Sequence, residues 1–268
     1  MNPEFSPDSY SDKCSVCGMF QEFTRTLKTI RESYHCGRCD ALLREREQAR
    51  AILSCYAHLR CQSVSDLVKV SRFRKLRVYE PGTTGPFRRL LRKLPYYQQS
   101  DCYGEEARGS VPLEIPHQNL ESLSFPDEAF DLVITSDILE HVRKPLCAFS
   151  EIARVLKPGG YHVFTVPMQE PVPPKTIARV DTSSEVDVPL MPEVFHGNGK
   201  GGRSLVYSDF GLDITEQLAK AGFSTHFYRP STQSEIVNSV ITIIARRQAT
   251  QRSRFGEMVR QFFVKSVR

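Results

Sequence analysis

The sequence lacks an apolar run long enough to cross a membrane, and its first residues lack the basic and apolar pattern of a signal peptide. We therefore expect a cytoplasmic protein with no membrane span. Tryptophan is also absent, which excludes no class of function. Of the 268 residues, 40% are hydrophobic and 25% are charged, as is ordinary for a globular protein. This length predicts one large domain, or one medium domain with a small appendage.

Four of the eight cysteines form two C-x2-C pairs separated by eighteen residues. This spacing is typical of a zinc ribbon, in which each pair holds one side of a tetrahedral Zn²⁺. Two disulfides or four unrelated thiols are the alternatives, and a cytosolic compartment disfavours the disulfides. Because four thiolates fill the coordination shell, we expect a structural zinc ion rather than a catalytic one. The predicted ligands are Cys14, Cys17, Cys36 and Cys39.

A glycine-bearing turn joins a predicted strand at 76–79 to a predicted helix. In the run EPGTTG, Glu80 closes the strand, and Gly82 and Gly85 allow a tight turn and the close approach of a ligand. A strand, turn and helix of this kind begin a nucleotide-binding βαβ unit. The pattern is not the G-x-G-x-x-G of dinucleotide-binding enzymes, so an ordinary strand-to-helix turn is the alternative.

Later segments extend this unit into an α/β pattern. A second strand at 96–101 ends in Asp101, sixteen residues after Gly85, close to where a ribose-binding unit places its acid. The alternative is an aspartate in a loop. A buried strand at 130–136 runs into Asp137, and a helix, a Lys-Pro-Gly-Gly stop and a strand at 161–166 follow.

Three runs, EPGTTG, LSFPDEAFDLVITSDILEHV and EIARVLKPGGYHVFTVP, together resemble class I S-adenosylmethionine-dependent methyltransferases. The resemblance spans about residues 76–247 and is strongest to the group related to the ubiquinone and menaquinone methyltransferases. It implies a Rossmann-like, seven-stranded α/β sheet with helices on both faces and an antiparallel hairpin at one edge. The zinc ribbon would be a small N-terminal addition, and the cofactor would be S-adenosylmethionine.

The resemblance also implies a role for each residue of the cofactor site. Glu80, together with Gly82, Thr83 and Gly85, would hold the methionine part of the cofactor, and Asp101 would take the ribose hydroxyls. Asn119 and Leu120 would border the adenine, and Ser136 and Asp137 would lie beside the sulfonium.

Candidate catalytic residues lie beyond the strand at 130–136. His141 follows that strand and could be a general base, although a histidine here could equally cap a helix or shape the pocket. His196 is the second candidate base, with a surface loop histidine as the alternative. Asp137 is the third candidate. His196 lies in the proline-rich insertion 167–206, which we expect to be a lid over the acceptor pocket.

Basic residues are concentrated in two places. Residues 69–93 carry nine basic residues and one acid, and residues 252–268 carry five and one. Such clusters can bind nucleic acid, although a solvated basic face is the commoner explanation. The second cluster forms one side of a predicted amphipathic helix, which could pack on the body, pair two subunits in a homodimer, or touch an anionic surface.

These patterns divide the chain into five predicted segments. They are a flexible N-terminus (1–13), the zinc ribbon (14–40), a helical linker (41–75), the methyltransferase domain (76–249) and the basic amphipathic helix (250–268).

The leading functional hypothesis is an S-adenosylmethionine-dependent methyltransferase with a small-molecule acceptor, methylated at oxygen or nitrogen of a sugar or natural product. The CxxC segment followed by CDALLRERE, together with HQNLESLSFPDE, resembles a bacterial subgroup of small-molecule methyltransferases. The first alternative is an RNA methyltransferase that uses the ribbon and the basic stretch. The second is a non-catalytic binding protein, against which the complete set of predicted cofactor residues argues.

Overall fold

The computed structural model describes residues 8–82, 84–102, 116–197, 201–229 and 240–249. The first half of the chain forms β1 (Ser9–Lys13), β2 (Phe20–Thr24), α1 (Leu43–Cys55), α2 (Val64–Leu67), β3 (Val78–Pro81), α3 (Pro86–Leu91), β4 (Tyr97–Ser100) and β5 (Phe130–Ser136). The second half begins with α4 (Pro145–Val155) and β6 (Leu156–Thr165) and ends with α5 (Ile214–Lys220), β13 (Phe223–Tyr228) and β14 (Thr242–Arg247). Between them lie six short strands, β7 (Ile177–Ala178), β8 (Val180–Asp181), β9 (Val188–Pro189), β10 (Phe195–Gly197), β11 (Arg203–Leu205) and β12 (Ser208–Asp209).

A central sheet has the strand order β13-β14-β6-β5-β3-β4. The strands β4, β3, β5 and β6 are parallel, and β14 runs antiparallel to both β6 and β13. Chain order reverses between β3 and β5, so the carboxyl ends of these two strands border the crevice where ligands bind in open α/β sheets. Six strands lie within the described residues, and at the seventh position His117 forms a parallel bridge to Asp101 beyond β4.

Two hydrophobic cores lie on opposite faces of this sheet. Successive residues of each central strand point to opposite faces, so Leu132 and Ile134 enter one core and Val133 enters the other. The first core is closed by α1, α2 and α3, and the second by α4 and α5. Helices on both faces of a largely parallel sheet confirm the predicted Rossmann-like class.

The N-terminal segment begins with a strand, which corrects the prediction of a flexible stretch through residue 13. Ser9–Lys13 pairs antiparallel with Phe20–Thr24. The reason is aromatic packing, since Tyr10 lies 5.4 Å from both Phe23 and Tyr34 between ring centroids. Residues 1–7 lie outside the described part of the chain.

The helix α1 lies between the N-terminal segment and the sheet, although residues 41–75 were predicted as a linker. Both of its faces are covered, so several of its polar side chains are buried. Arg46 is fully buried, and its guanidinium carbon lies 3.6 Å from the ring centroid of Phe23. On the other side, Gln48 Nε2 donates to the carbonyl oxygens of Thr135 (2.9 Å) and Val163 (3.1 Å). This segment therefore joins the N-terminal hairpin to the sheet by direct contact.

Within the described residues, none of the helices combines the length and the apolar character needed to span a bilayer. The predicted amphipathic helix at 250–268 lies outside the described residues.

We expect Gln48→Leu to lower the free energy of unfolding by about 1–3 kcal/mol, because it removes the donor to two sheet carbonyls and the acceptor of the partly buried Ser136 hydroxyl. Ser54→Ala is the matched control on the same helix, since its hydroxyl is exposed and bonds only within the helix. Urea unfolding of both variants measures the difference. Equal stability of Gln48→Leu and the wild type would show that α1 is not held by this side chain.

Candidate functional site

The turn after β3 adopts the left-handed backbone that its glycines allow. Gly82 has φ of 101° and Gly85 has φ of 106°, a region that residues with a side chain rarely adopt. The amide of Gly82 donates to the carbonyl oxygen of Ser100 at 2.8 Å, which fixes the turn to the end of β4. A Cβ at Gly82 would come within 3.8 Å of Ile138, so this turn lies against the segment that follows β5. Thr83 lies outside the described residues.

Glu80 lies at the end of β3 with only 6% of its surface exposed. Tyr97 Oη donates to its Oε2 at 2.7 Å. Burial raises the pKa of Glu80 to about 8, and the hydrogen bond from Tyr97 opposes this shift only in part. This raised pKa favours the protonated form of the Glu80 carboxyl near neutral pH. A cationic ligand beside it would favour the charged form.

The other predicted cofactor residues lie along the same side of β4 and β5. Asp101 follows β4 and is buried, and its Oδ1 accepts from the amide of Cys102 at 2.8 Å. Asn119 Oδ1 accepts from the amide of Glu121 at 2.9 Å, so this oxygen already closes a turn. Leu120 is 6% exposed and belongs to the core under α4. Asp101 and Asn119 therefore each accept a hydrogen bond from a nearby backbone amide, and Leu120 contributes to the core.

Asp137 is engaged by two arginines of the N-terminal half. Arg31 binds it in a two-pronged contact, with Nη1 to Oδ2 at 2.9 Å and Nη2 to Oδ1 at 2.8 Å. Arg44 Nε lies 3.2 Å from Oδ2, and Thr165 Oγ1 donates to Oδ1 at 2.9 Å. Burial alone would raise the pKa of Asp137, but the two guanidinium groups outweigh it and lower that pKa. This pairing disfavours the predicted catalytic role of Asp137, because a strongly paired carboxylate is a weak proton acceptor.

Ser136 is also held by α1, with its hydroxyl donating to Gln48 Oε1 at 2.6 Å. The residues that hold this strand end, Arg31, Arg44 and Gln48, were missed by sequence reasoning. Arg31 is 106 positions from Asp137, and Gln48 is 88 positions from Ser136, so no local pattern connects them.

The two candidate bases, His141 and His196, lie together. Their ring centroids are 5.1 Å apart in an edge-to-face arrangement. Between them lies Glu140, which sequence reasoning also missed, although it immediately precedes His141 in the run DILEH. Glu140 Oε1 is 3.7 Å from His141 Nε2 and 3.8 Å from His196 Nδ1. The sequence feature that could have indicated this group is the pair Glu140 and His141, which follows the strand at 130–136.

The insertion 167–206 carries the short strands β7 to β11, and it contacts the segment after β5. Antiparallel pairing of β10 with β11 positions His196 opposite Ser204. Just beyond, the amide of Tyr207 donates to the carbonyl oxygen of Glu140 at 2.8 Å. Arg143 Nε donates to Asp187 Oδ1 at 2.6 Å. The insertion therefore lies against the carboxyl end of β5.

The four predicted zinc ligands also come together. Sγ of Cys14 lies 3.8 Å from that of Cys39, and Sγ of Cys17 lies 3.6 Å from that of Cys36. All four sulfur atoms are within 4.8 Å of one another. A tetrahedral ion with Zn–S bonds of about 2.3 Å separates its sulfurs by roughly 3.8 Å, which these distances match. The separations are far longer than a disulfide bond.

Residues 97–164 match the family model described as "Methyltransferase domain". The matched segment runs from β4 through β5 and α4 into β6, along the strand ends described above. This part of the chain is therefore similar to a methyltransferase domain. Its sheet places the glycine turn, Asp101 and Ser136 at the carboxyl edge of neighbouring strands.

The chain is also similar to two curated proteins. An uncharacterized methyltransferase of Schizosaccharomyces pombe is 46% identical over 43 residues, 16% of this chain and 16% of that protein. A probable S-adenosylmethionine-dependent methyltransferase of Mycolicibacterium smegmatis is 32% identical over 111 residues, 41% of this chain and 35% of that protein. The similarity thus spans about a sixth of the length of the first relative and about a third of the length of the second.

Among solved structures, an S-adenosylmethionine-bound amino pentose methyltransferase of Micromonospora echinaspora is 13% identical, with a TM-score of 0.45 over 74% of this chain and 97% of that chain.

We expect a double-mutant cycle of Arg31→Met and Asp137→Asn to give a coupling energy of about 1–3 kcal/mol, because each change removes the same paired contact. The cycle is measured by urea unfolding of the wild type, both single variants and the double variant. Arg38→Met is the control, since Arg38 is an exposed arginine of the same N-terminal segment. Simple additivity of Arg31→Met and Asp137→Asn would contradict the pairing.

Proposed function

We propose that this protein transfers a methyl group from S-adenosylmethionine to oxygen or nitrogen of a small molecule, such as a sugar or a natural product. The observation that carries the proposal is the match of residues 97–164 to the methyltransferase-domain family. The left-handed glycine turn at the point where strand order reverses supports it, because this crevice is the usual ligand site of such sheets.

The residues of this crevice fit S-adenosylmethionine. When bound, the cofactor supplies a methyl group already activated by its positively charged sulfur. The turn at Gly82 and Gly85 would take its methionine part, and the buried carboxyl of Glu80 would offset the positive charge of the ammonium group. Asp101 would accept hydrogen bonds from the ribose hydroxyls. Asn119 and Leu120 would border the adenine, and Ser136 would lie nearest the sulfonium.

The chain's own part in the reaction is alignment and exclusion of water. An activated methyl group needs a nucleophile held in line at short distance, and proton removal only if the acceptor is protonated. The insertion 167–206, which contacts Glu140 and Arg143 at the carboxyl end of β5, would cover the acceptor. Of the two histidines, His196 is the more exposed, with 40% of its side chain accessible, and is the better placed to meet an acceptor.

A small-molecule acceptor is favoured over RNA by the residues after β5. The run from Asp137 to His141 lacks the Asn/Asp-Pro-Pro-aromatic element by which many base N-methyltransferases hold an exocyclic amine. Arg31 from the N-terminal segment and His196 from the insertion also approach this end of the sheet, and this crowding favours a compact acceptor. Salt-dependent RNA binding would instead favour the RNA hypothesis.

The proposal is tested by calorimetry with S-adenosylmethionine at pH 7 in buffers of different ionisation enthalpy. We expect binding with release of about one proton per chain, because the raised pKa of Glu80 falls when a cation binds beside it. Glu80→Gln should bind more weakly and release no proton. Glu216→Gln, a change in an exposed carboxylate of α5, should behave as the wild type. Failure of the wild type to bind S-adenosylmethionine would overturn the proposed function.

We also propose that Cys14, Cys17, Cys36 and Cys39 hold a structural Zn²⁺. The four sulfurs have tetrahedral spacing, and turns follow each C-x2-C pair, with the amide of Gly18 donating to the carbonyl oxygen of Cys14 at 2.8 Å. Reduced thiolates of this kind suit the cytoplasm, where we propose that the protein acts.

We expect Cys36→Ser to release the zinc and to lower the unfolding temperature, because metal binding and folding of a ribbon are coupled. Elemental analysis and thermal unfolding measure both effects. Cys147→Ser is the matched control, since Cys147 is exposed and outside the cluster. A wild-type protein that contains no zinc after expression in zinc-supplemented medium would contradict this assignment.

A further inference from the structure

A second group of metal-ligand side chains lies beyond the end of β5, apart from the four cysteines. It consists of Glu140, His141 and His196, and one ligand atom of each lies within 4.8 Å of the others. The first two belong to the helical turn Leu139–His141, and the third is on β10 of the insertion. Two imidazoles and one carboxylate are therefore gathered from two separate parts of the chain.

The carboxylate at the centre of this group is buried and accepts no hydrogen bond from the described residues. Glu140 is 1% exposed, and neither of its carboxylate oxygens has a hydrogen-bond partner within the described part of the chain. A buried carboxylate without such a partner is costly, and proteins offset that cost with a pairing group or a metal ion. The two histidine nitrogens, at 3.7 and 3.8 Å from Oε1, are too far away to donate a hydrogen bond.

The separations are close to those between ligand atoms around one shared metal ion. Ligand atoms about 2.1 Å from one ion lie roughly 3.0–3.4 Å from each other in tetrahedral or octahedral geometry. Small side-chain rotations would bring the observed separations of 3.7 and 3.8 Å to that spacing.

His141 is oriented as metal-binding histidines usually are. Its Nδ1 donates to the carbonyl oxygen of Leu205 at 2.7 Å, which directs Nε2 toward Glu140. A ligating histidine commonly donates its second ring nitrogen to a backbone carbonyl, and that bond fixes the tautomer. Since Leu205 is the last residue of β11, the insertion both supplies His196 and orients His141.

We infer that Glu140, His141 and His196 bind one divalent transition-metal ion whose remaining coordination positions are open to an acceptor oxygen. Two histidines and one carboxylate are a ligand set for Zn²⁺, Fe²⁺ and similar ions that leaves such positions free. The metal site depends only on these three side chains. Its role rests on the proposed function: the ion would bind a hydroxyl oxygen of the acceptor, lower the pKa of that hydroxyl and orient it for methylation.

The site is tested with Mn²⁺ as the probe on the full chain, after the four-cysteine site has been filled with one equivalent of Zn²⁺. Thiolates bind Mn²⁺ poorly, so the probe reports the second site. Titration followed by the electron paramagnetic resonance of free Mn²⁺ should give one bound ion per chain. His196→Ala and Glu140→Gln should each weaken this binding at least tenfold. His58→Ala, which removes an exposed histidine remote in sequence from the three ligands, should not.

Zinc stoichiometry is the second measurement. After dialysis against Zn²⁺, the wild type should hold two ions per chain, whereas Cys36→Ser and His196→Ala should each lose one. Circular dichroism of each variant separates loss of a ligand from loss of the fold. If the wild type binds neither Mn²⁺ nor a second Zn²⁺, or if both ligand variants bind as the wild type does, the inference is overturned.

The role of the ion is tested separately from its binding. Enhanced relaxation of water protons by bound Mn²⁺ would show that coordination positions are open, and its absence would exclude contact with an acceptor. His196→Ala should still bind S-adenosylmethionine. If the wild type failed to bind S-adenosylmethionine but bound the metal, the proposed function would fail and the metal site would stand.

Discussion

The ion pair between Asp137 and the arginines Arg31 and Arg44 fixes the N-terminal segment to the carboxyl edge of the sheet. Asp137 directly follows β5, so its backbone belongs to the domain that the family model matches. Its two partners come from the segment that carries the cysteines and from α1. Removing one partner of this partly buried group would leave a charge without its counterion, which favours keeping all three together. The N-terminal segment thus lies against the strand end that borders the proposed site.

Elements with local signals could be predicted from the sequence. The strand at 130–136 was predicted with its observed bounds because a short apolar run between turns is typical of a buried strand. The four cysteines were grouped by spacing alone. The N-terminal strand was missed because its order comes from Phe23 and Tyr34, later in the chain. Charge and polarity gave no sign that α1 would be covered on both faces, since its Arg46 and Gln48 resemble solvent-exposed residues until their partners are known.

The site shows the same division between local and long-range information. The glycine turn and Asp101 follow strands directly, so a pattern can place them at one edge. Whether Asp137 serves as a base depends on arginines about a hundred positions away, and their pairing argues against it. The sequence singled out the two histidines separately, His141 because it follows the strand at 130–136 and His196 because it lies in the proline-rich insertion. Only the folded chain shows that β10 brings His196 to Glu140, a carboxylate that sequence reasoning had passed over.

These arrangements give the two sides of the crevice different electrostatic characters. On the cofactor side, Glu80 is a buried carboxyl whose raised pKa favours the protonated form, and a cation bound beside it would lower that pKa. On the insertion side, Glu140 is a buried carboxylate between two imidazoles. Asp137 lies between the two sides, and its arginines already neutralise it. A cationic methyl donor and a metal-bound acceptor would therefore each meet a separate carboxylate. Because Asp137 is already paired with arginines, it would compete neither for the methyl donor nor for the metal ion. The two binding sites would therefore stay chemically distinct, although both lie beside the end of β5.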